Sequence, residues 1–384
     1  SRRGAQLPAL GVGASVTQGR QPSVNGERNT VTSRSASLDA SWEIDLFGKL
    51  QRNATAAQAR IDARQAQWHD ARVSLAAEVA DTYVQYRGCR QLHNAYERSA
   101  LSRTRTARVT GISAEAGLTA KADAALADAS LASARAGALN QQMLCELLAT
   151  SLASLTGLND AQLRPLIDRS ASTALPQPAA LAVSAIPAET LRQRPDLAAL
   201  ERELAATSEE IGAADAARYP ALSLSGLISL SGAAGNALAS SWSLGPSVSL
   251  PLFDGGQRRA AVEIARQSFE IAQAQYRQGV RTAVKEVEQA LLRLDAVALR
   301  EVEAIRAAEG YSRTLRAADA NWQAGMGSLL SLEDARRSAI ASELDVLNLQ
   351  QARVQYWIAL YKATGGGWTP TPCRQCPAAS PTVK

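Results

Sequence analysis

Four segments of this sequence alternate between apolar and polar residues. In residues 34–46 every second side chain is apolar, and serine or a charged residue stands between each apolar residue and the next. A similar period of two runs through residues 9–17, 221–231 and 242–252. Successive side chains of a β-strand point to opposite faces, so each segment predicts a strand with one apolar and one polar face. The fold must therefore provide an apolar environment for four strands at once.

The length of these segments favours lipid as that environment. Each segment is about ten residues long, which suits a tilted transmembrane β-strand better than the shorter strands of soluble sandwiches. Trp42 and Trp242 suit the aromatic girdle at a membrane interface. A soluble sheet with one face packed on a core is the alternative, but no other part of the sequence supplies an apolar layer for four strands.

Four strands cannot close a membrane barrel by themselves. An open strand edge in lipid leaves backbone groups without hydrogen-bond partners, which is too costly for a stable structure. Three copies of the chain would supply twelve strands, which is within the range of known barrels and leaves room for a water-filled lumen. The strands therefore predict that more than one copy of the chain is needed to close the barrel.

The second half of the sequence repeats the order of the first half at an offset of about 206 to 212 residues. The corresponding motifs are Pro8-Ala9-Leu10 and Pro220-Ala221-Leu222, Leu46-Phe47 and Leu252-Phe253, Glu78-Val79 and Glu286-Val287, and Ala116-Gly117 and Ala324-Gly325. Each half reads as two strands, a very long helix, a tight turn and a second long helix. This order predicts an internal two-fold structural repeat.

The repeat divides the chain into two halves and a tail. The first repeat, residues 1–206, contains strands at about 8–18 and 34–46, a helical hairpin at about 49–157 with its tip near 111–119, and a proline-rich linker at about 159–206. The second repeat, residues 207–368, contains strands at about 220–231 and 241–253 and a hairpin at about 257–364 with its tip near 324–328. The proline-rich residues 369–384 are expected to be a disordered tail.

The predicted helices are too long for a globular domain. No proline occurs from Ser23 to Arg164 or from Leu252 to Thr369, and residues 49–110 are rich in good helix formers. A helix of about 60 residues is about 90 Å long. Apolar residues at steps of four and three form a coiled-coil seam: Val280, Val284, Val287, Leu291 and Leu294. An ordinary long coiled coil is the alternative that these helices alone would allow.

Glycines mark the points where the long helices turn back, namely Gly111 to Gly117 and Gly325 to Gly327. Cys89 and Cys145 lie equally far from Gly117, so an antiparallel hairpin would place them opposite each other. The sequence therefore predicts that these two cysteines are close together. A disulfide in an oxidising compartment and a pair of buried free thiols are both open.

Composition argues against several classes of function. The net charge is +5 without a dense run of lysine and arginine, and aromatics make up 4% of the residues, so nucleic-acid binding is not predicted. The lone pair Cys373 and Cys376 has no partner motif, so neither a metal nor a cofactor is expected. Phosphate-binding loops, HExxH and GxSxG do not occur, so the chain is not predicted to be an enzyme. No apolar run reaches the length of a transmembrane helix.

Five sets of residues carry a resemblance to a known family. They are Trp42-Glu43-Ile44-Asp45-Leu46-Phe47-Gly48-Lys49, Ile186-Pro187 with Arg194-Pro195-Asp196-Leu197, Arg218-Tyr219-Pro220, Pro251-Leu252-Phe253-Asp254-Gly255-Gly256, and Leu360-Tyr361-Lys362-Ala363 with Gly365-Gly366-Gly367-Trp368. Together they resemble the outer-membrane factor family, the TolC/OprM-like channels of tripartite RND-type efflux pumps. The resemblance spans residues 7–368 and is most specific for the OprM-like branch.

The resemblance implies a membrane α+β fold. Three protomers, with four strands each, would form a twelve-stranded transmembrane β-barrel that continues into a long periplasmic α-helical barrel. The implied location is the outer membrane of a Gram-negative bacterium. In the OprM-like branch a lipidated cysteine commonly begins the mature chain, followed by a helical segment ahead of the first strand, so a lipoprotein is among the expectations.

The same resemblance implies a function and partners. The homotrimer would passively conduct drugs or other exported solutes, as in multidrug resistance, from a periplasmic adaptor (membrane fusion protein) and an inner-membrane RND-type transporter to the exterior. The alternative is a structural coiled-coil or adhesin-type surface protein without channel activity.

The resemblance also assigns roles to residues near the two turns. The family motif at the narrow periplasmic end fits Gly325, Ser328, Leu330, Leu332, Asp334, Ala335 and Arg337. It implies that Leu330 forms an apolar constriction, Asp334 an acidic ring and Arg337 its polar partner. An ordinary surface pair at spacing i,i+3 is the alternative for Asp334 and Arg337. The adaptor would contact the tips through Gly111, Gly117, Leu118, Gly325, Gly327 and Ser328.

Overall fold

The computed structural model describes residues 2–22, 28–168, 174–176, 192–233 and 237–368 of the chain. Most of the proline-rich linker, including Ile186-Pro187, and the tail with Cys373 and Cys376 lie outside the described residues. The chain divides into two compact units: Ser1–Trp68 with Asp196–Val280, and His69–Pro195 with Arg281–Lys384. Each unit therefore combines a part of the first half of the sequence with a part of the second half.

The first unit contains a four-stranded antiparallel sheet in the order β1-β2-β3-β4. Its strands are β1 (Ala9–Pro22), β2 (Arg28–Ile44), β3 (Ala221–Ala233) and β4 (Ala239–Ser249). The alternation predicts that the second strand starts near residue 34, whereas β2 starts at Arg28. The extension exists because Arg28 and the residues after it pair with the end of β1, as in Pro22 opposite Arg28, although their hydrophobicity does not alternate.

The register brings the apolar side chains of all four strands onto one face of the sheet. Val12 lies opposite Leu38, Leu38 opposite Ile228, and Ile228 opposite Trp242. The other face carries serine pairs whose hydroxyl oxygens are 2.8 Å apart: Ser15 with Ser35 and Ser223 with Ser247. Val12 and Trp242 are exposed, so none of the described residues covers the apolar face of the sheet at these positions.

Long helices form most of the remaining described structure. The first hairpin consists of α1 (Lys49–Glu115) and α2 (Lys121–Thr156), and the second of α5 (Gln257–Gln323) and α6 (Leu329–Ala363); α3 (Asp160–Ile167) and α4 (Pro195–Ala216) lie between them in the sequence. Helices α1 and α5 contain 67 residues each. In the part of the chain that the structure describes, no helix combines the length and apolar character that crossing a membrane requires.

Helix α4 begins at Pro195, a position in the first turn where a missing N–H costs no helical hydrogen bond. The expected boundary between the two repeats, after residue 206, lies inside this helix. Ala206 and Thr207 are both buried there. The two halves of the sequence therefore meet within a continuous packed helix rather than at a loop.

The turn that connects α1 and α2 lies later in the sequence than the glycine pattern predicts. The glycine pattern places Gly111 in the turn, but this residue lies within α1 and does not have a positive φ. The helix ends before Gly117, whose φ of 72° is the left-handed conformation that favours glycine. A glycine inside a helix costs only about 1 kcal/mol relative to alanine, so Gly111 alone does not end α1.

A buried apolar cluster joins the two helices of the first hairpin. It contains Tyr86, Ala149 and Leu152 together with Cys89 and Cys145. The two cysteines form a disulfide, and their Cα atoms are 5.6 Å apart. Equal spacing from the turn thus brings these cysteines together, and the structure has the disulfide rather than two free thiols.

Candidate gate and docking turns

The turns at the ends of the two hairpins have the same backbone structure. After α1, the N–H of Leu118 donates to the carbonyl oxygen of Ser113 at 2.8 Å, with Gly117 in the left-handed conformation. After α5, the N–H of Met326 donates to the carbonyl oxygen of Asn321 at 2.8 Å, with Gly325 in the left-handed conformation. This is the Schellman motif in both cases, and it leaves Leu118 and Met326 largely exposed at matching positions.

The second turn ends where Ser328 caps helix α6. The hydroxyl oxygen of Ser328 accepts a hydrogen bond from the backbone N–H of Ser331 at 3.1 Å, which satisfies a free donor at the start of the helix. Gly327 packs so closely on the end of α5 that a Cβ there would lie 3.1 Å from the backbone nitrogen of Trp322. Small size at Gly327 and a cap at Ser328 therefore fix the direction in which α6 starts.

The predicted gate residues share one exposed face of α6. Leu330, Asp334 and Arg337 follow at spacings of four and three, which places them on the same side of a helix. All three are exposed, and the Asp334 carboxylate lies 3.5 Å from the Arg337 guanidinium. Leu332 and Ala335, which the family motif also includes, are buried on the other side of the helix. The motif thus has an exposed face, formed by Leu330, Asp334 and Arg337, and a buried face with Leu332 and Ala335. We call the buried face the anchoring face.

The anchoring face rests on the other three long helices of the two hairpins. Leu329 packs in a buried cluster with Ala107 of α1 and Ala127 of α2. Leu131 of α2 and Trp322 of α5 border the same cluster. Leu332 is among the fully buried side chains of the described chain. Because α6 starts on this cluster, its exposed face is held in one orientation.

A buried group of charges lies beside this apolar cluster. The Glu333 carboxylate lies 3.0 Å from Nε of Arg103 on α1 and 2.7 Å from Nη1 of Arg336 one turn along α6. Ser130 on α2 also donates a hydrogen bond to Glu333. The second Nη of Arg336 lies 3.6 Å from the Asp319 carboxylate on α5. We call these five residues the Glu333 cluster; its polar contacts link the four long helices.

The surroundings of Glu333 keep its carboxyl group charged. Burial alone would raise its pKa, but the hydrogen bonds from Ser130 and Arg336 and the charges of Arg103 and Arg336 outweigh burial. The pKa of Glu333 therefore lies below its ordinary value. The cluster consequently acts as a set of fixed charges, and nothing in its geometry positions a nucleophile or an acid–base pair for chemistry.

Sequence reasoning did not find the Glu333 cluster. The one local signal is the i,i+3 spacing of Glu333 and Arg336, which is also the spacing of ordinary surface pairs. Arg103 and Ser130 precede Glu333 by 230 and 203 residues, and no local pattern connects them with it.

The remaining predicted site residues lie apart from the two turns. Trp42 is 36% exposed, and its indole N–H donates to the carbonyl oxygen of Gln6 at 3.0 Å. Trp242 is largely exposed on the apolar face of the sheet. The residues that the structure describes contain no group of His, Cys, Asp and Glu side chains that could hold a metal ion.

The described residues are rich in helix and form one four-stranded sheet with an exposed apolar face, which is the architecture of an outer-membrane channel protomer. The chain belongs to the outer membrane efflux protein family, whose model matches residues 1–158 and 186–366.

Known proteins of this family resemble the chain over nearly all of its length. Outer membrane protein OprJ of Pseudomonas aeruginosa is 30% identical over 376 residues, which cover 96% of this chain and 78% of that protein. The toluene efflux pump outer membrane protein TtgI of Pseudomonas putida is 27% identical over 385 residues, covering 96% and 79% of the two chains.

Solved structures give the same result for the fold. The outer-membrane channel OprN has a TM-score of 0.85 at 30% identity, with 96% of this chain and 84% of that chain covered. The CmeC outer membrane channel of Campylobacter jejuni has a TM-score of 0.87 at 23% identity, with 96% and 79% covered, which supports the fold alone. The chain is thus the outer-membrane channel of an efflux pump, located in the outer membrane of a Gram-negative bacterium and extending into the periplasm.

Proposed function

We propose that three copies of this chain form a closed duct through which exported solutes pass passively to the exterior. The observation that carries this proposal is the isolated sheet, whose strands β1 and β4 are edges and whose apolar face is exposed. Such edges are not tolerated in lipid, so copies must pair edge to edge until the sheet closes. Three copies give a twelve-stranded barrel whose serine-rich face lines the lumen.

The internal repeat supports the same assembly. Residues 1–206 and 207–368 each contribute two strands and one long hairpin, and the long helices of both hairpins have 67 residues. Three copies would therefore supply six helices of 67 residues and six shorter helices of 35 or 36 residues, enough for a periplasmic helical barrel with the linker as its equatorial girdle. The duct has no chemistry to perform, because its role is to keep a water-filled path through a layer that excludes the solutes.

The exposed face of α6 is the proposed gate. Leu330 would narrow the periplasmic end with an apolar ring, and Asp334 with Arg337 would form a polar ring beside it. The Glu333 cluster and the buried residues Leu329 and Leu332 support this role, since they hold the face in one orientation. Three carboxylates near one axis repel one another, so closure would be only marginally stable and easily reversed by a partner.

The two Schellman turns are the proposed docking points for a periplasmic adaptor. They present Leu118 and Met326 at matching positions beside Gly117 and Gly325, and apolar residues at exposed turns are suited to a protein partner. The adaptor would connect the duct to an inner-membrane transporter that supplies the energy. OprJ and TtgI are named as outer-membrane proteins, TtgI of a toluene efflux pump, and drugs or other apolar solutes are the corresponding cargo proposed for this chain.

Imaging and conductance of the purified protein test this function. The full chain, extracted in detergent, is expected to appear as a threefold particle and to conduct ions in a planar bilayer. A monomer that stays dispersed without detergent would refute the duct. A threefold particle that never conducts, with or without adaptor, would favour the structural or adhesin-type alternative.

A further inference from the structure

Two apolar residues at the ends of the edge strands are strongly exposed in the single chain. Phe253, which follows β4, is 94% exposed, and Leu7, which precedes β1, is 66% exposed. Their counterparts in the sequence repeat are Phe47, which follows β2, and Tyr219, which precedes β3. These counterparts stack on each other with ring centroids 4.8 Å apart. Phe47 and Tyr219 thus make a contact at the ends of the inner strands β2 and β3. The equivalent residues Phe253 and Leu7 lie at the two opposite edges of the sheet, next to the ends of β4 and β1.

The stacked pair continues the register of the strands that it follows. Ile44 of β2 lies opposite Leu222 of β3, and Phe47 and Tyr219 each lie three residues beyond that pair. The same relation can be applied to the two edges. If Phe253 of one copy stands opposite Leu7 of the next copy, then Leu250 lies opposite Leu10, three residues further into the strands.

We infer that β4 of one copy pairs with β1 of the next copy in this register, with Phe253 packed on Leu7 of that copy. The inference rests on the proposed trimer and specifies the surface through which the copies recognise each other. In this register Val248 lies opposite Val12 and Leu244 opposite Val16, so apolar residues meet on the lipid-facing side. A slip by one residue would turn every side chain of one strand to the wrong face.

Slips by an even number of residues keep the faces but are limited by strand length. Strand β4 runs from Ala239 to Ser249, and β1 from Ala9 to Pro22. In the inferred register Ser249 lies opposite Gly11, and all of β4 has partners within β1. One other even register, with Ser249 opposite Ala9, also satisfies this condition. The Phe253–Leu7 contact decides between the two, since the slipped register would separate these residues.

Cysteine pairs across the interface can measure the register directly. All variants are made in a parent protein that carries Cys373→Ser and Cys376→Ser. The two cysteines that this parent keeps, Cys89 and Cys145, are joined in the buried disulfide. The in-register variants are Ser243→Cys with Thr17→Cys, and Leu244→Cys with Val16→Cys. Neighbouring pairs of antiparallel strands alternate between a narrow and a wide spacing, so one of the two variants has the spacing that a disulfide requires.

Matched variants shift one cysteine by two residues on the same face: Ser243→Cys with Ser15→Cys, and Ser243→Cys with Gly19→Cys. After oxidation in the outer membrane, the better in-register variant is expected to give at least about fivefold more covalent trimer than either shifted variant, since diagonal positions lie too far apart for a disulfide. Dominant crosslinking of a shifted variant would overturn the register and leave the trimer intact. Absence of crosslinking in a trimeric parent would overturn this interface, whereas a monomeric parent would overturn the proposed duct itself.

Discussion

Glu333 and Arg103 form a buried ion pair that ties the start of α6 to α1. Their side chains are 6% and 12% exposed, and their charged atoms lie 3.0 Å apart. This pair is buried, whereas Leu330, Asp334 and Arg337 are exposed. The side chains that hold the proposed gate in place are therefore different from those that would line it.

Removal of either partner is expected to destabilise the helical unit. Breaking a buried ion pair leaves an uncompensated charge and typically costs about 3 kcal/mol, so Arg103→Met and Glu333→Gln should each lower the thermal midpoint of helix unfolding followed by circular dichroism. The double variant should cost less than the sum of the two, because the interaction can be lost only once. Arg337→Met is the matched control, and its exposed pair with Asp334 should contribute well under 1 kcal/mol. Equal midpoints for the buried and exposed variants would contradict this role.

The stability of the helical unit should fall in acid partly through Glu333. Because the folded pKa of Glu333 lies below its ordinary value of 4.5, its carboxylate contributes stability above that pH. The contribution is lost as the pH falls through the lowered pKa. Thermal midpoints measured from about pH 7 to about pH 3 should therefore drop less steeply for Glu333→Gln than for the parent. Glu146, whose pKa is also lowered by Arg164, is present in both proteins and cancels in the comparison; parallel curves would refute the assignment.

Local sequence patterns predict those structural features that depend only on one strand or one hairpin. Alternation from Ala36 to Ile44 predicts a strand because the period of two is a property of one strand. Equal spacing of Cys89 and Cys145 from Gly117 predicts their contact because a hairpin aligns residues at equal distances from its turn. The disulfide itself did not follow from the spacing, which allowed free thiols as well.

Other features depend on contacts that no local pattern encodes. Arg28 extends β2 only because the end of β1 lies beside it. Gly111 looks like a turn residue in the sequence, but the helix continues through it until Gly117 adopts the left-handed conformation. Glu333 and Arg103 look like surface residues of long helices, and only the packing of four helices buries them.

The gate assignment predicts a leakier channel when the exposed face of α6 is reduced. Leu330→Ala with Asp334→Ala removes the apolar ring and the acidic ring, so the mean conductance in planar bilayers without adaptor should rise several-fold. Ile112→Ala is the matched control, since Ile112 and Leu330 are both 58% exposed and lie near the two turns. Unchanged conductance of the double variant, or an equal rise in the control, would remove Leu330 and Asp334 from the gate.

The disulfide is expected to contribute strongly to the stability of the first hairpin. It closes a loop with a sequence separation of 56 residues, for which the chain-entropy model gives about 4 kcal/mol. Cys89→Ala with Cys145→Ala should therefore lower the thermal midpoint by several degrees. Cys373→Ser with Cys376→Ser is the control for loss of cysteines elsewhere and should leave the midpoint unchanged. A similar midpoint for the parent and the Cys89/Cys145 variant would show that packing of Tyr86 and Leu152 suffices.

The docking assignment predicts contact between the two turns and an adaptor. Leu118→Cys and Met326→Cys place a thiol on each exposed turn without disturbing the glycine-dependent backbone that precedes it. When the channel is co-expressed with an adaptor that restores efflux, a short bifunctional reagent should crosslink both variants to the adaptor. Ile271→Cys is the control, because Ile271 is exposed on α5 but far from both turns in the sequence. Crosslinking at Ile271 and at neither turn would place the docking surface on the side of the helices, where the adaptor could not act directly on Leu330 and Asp334.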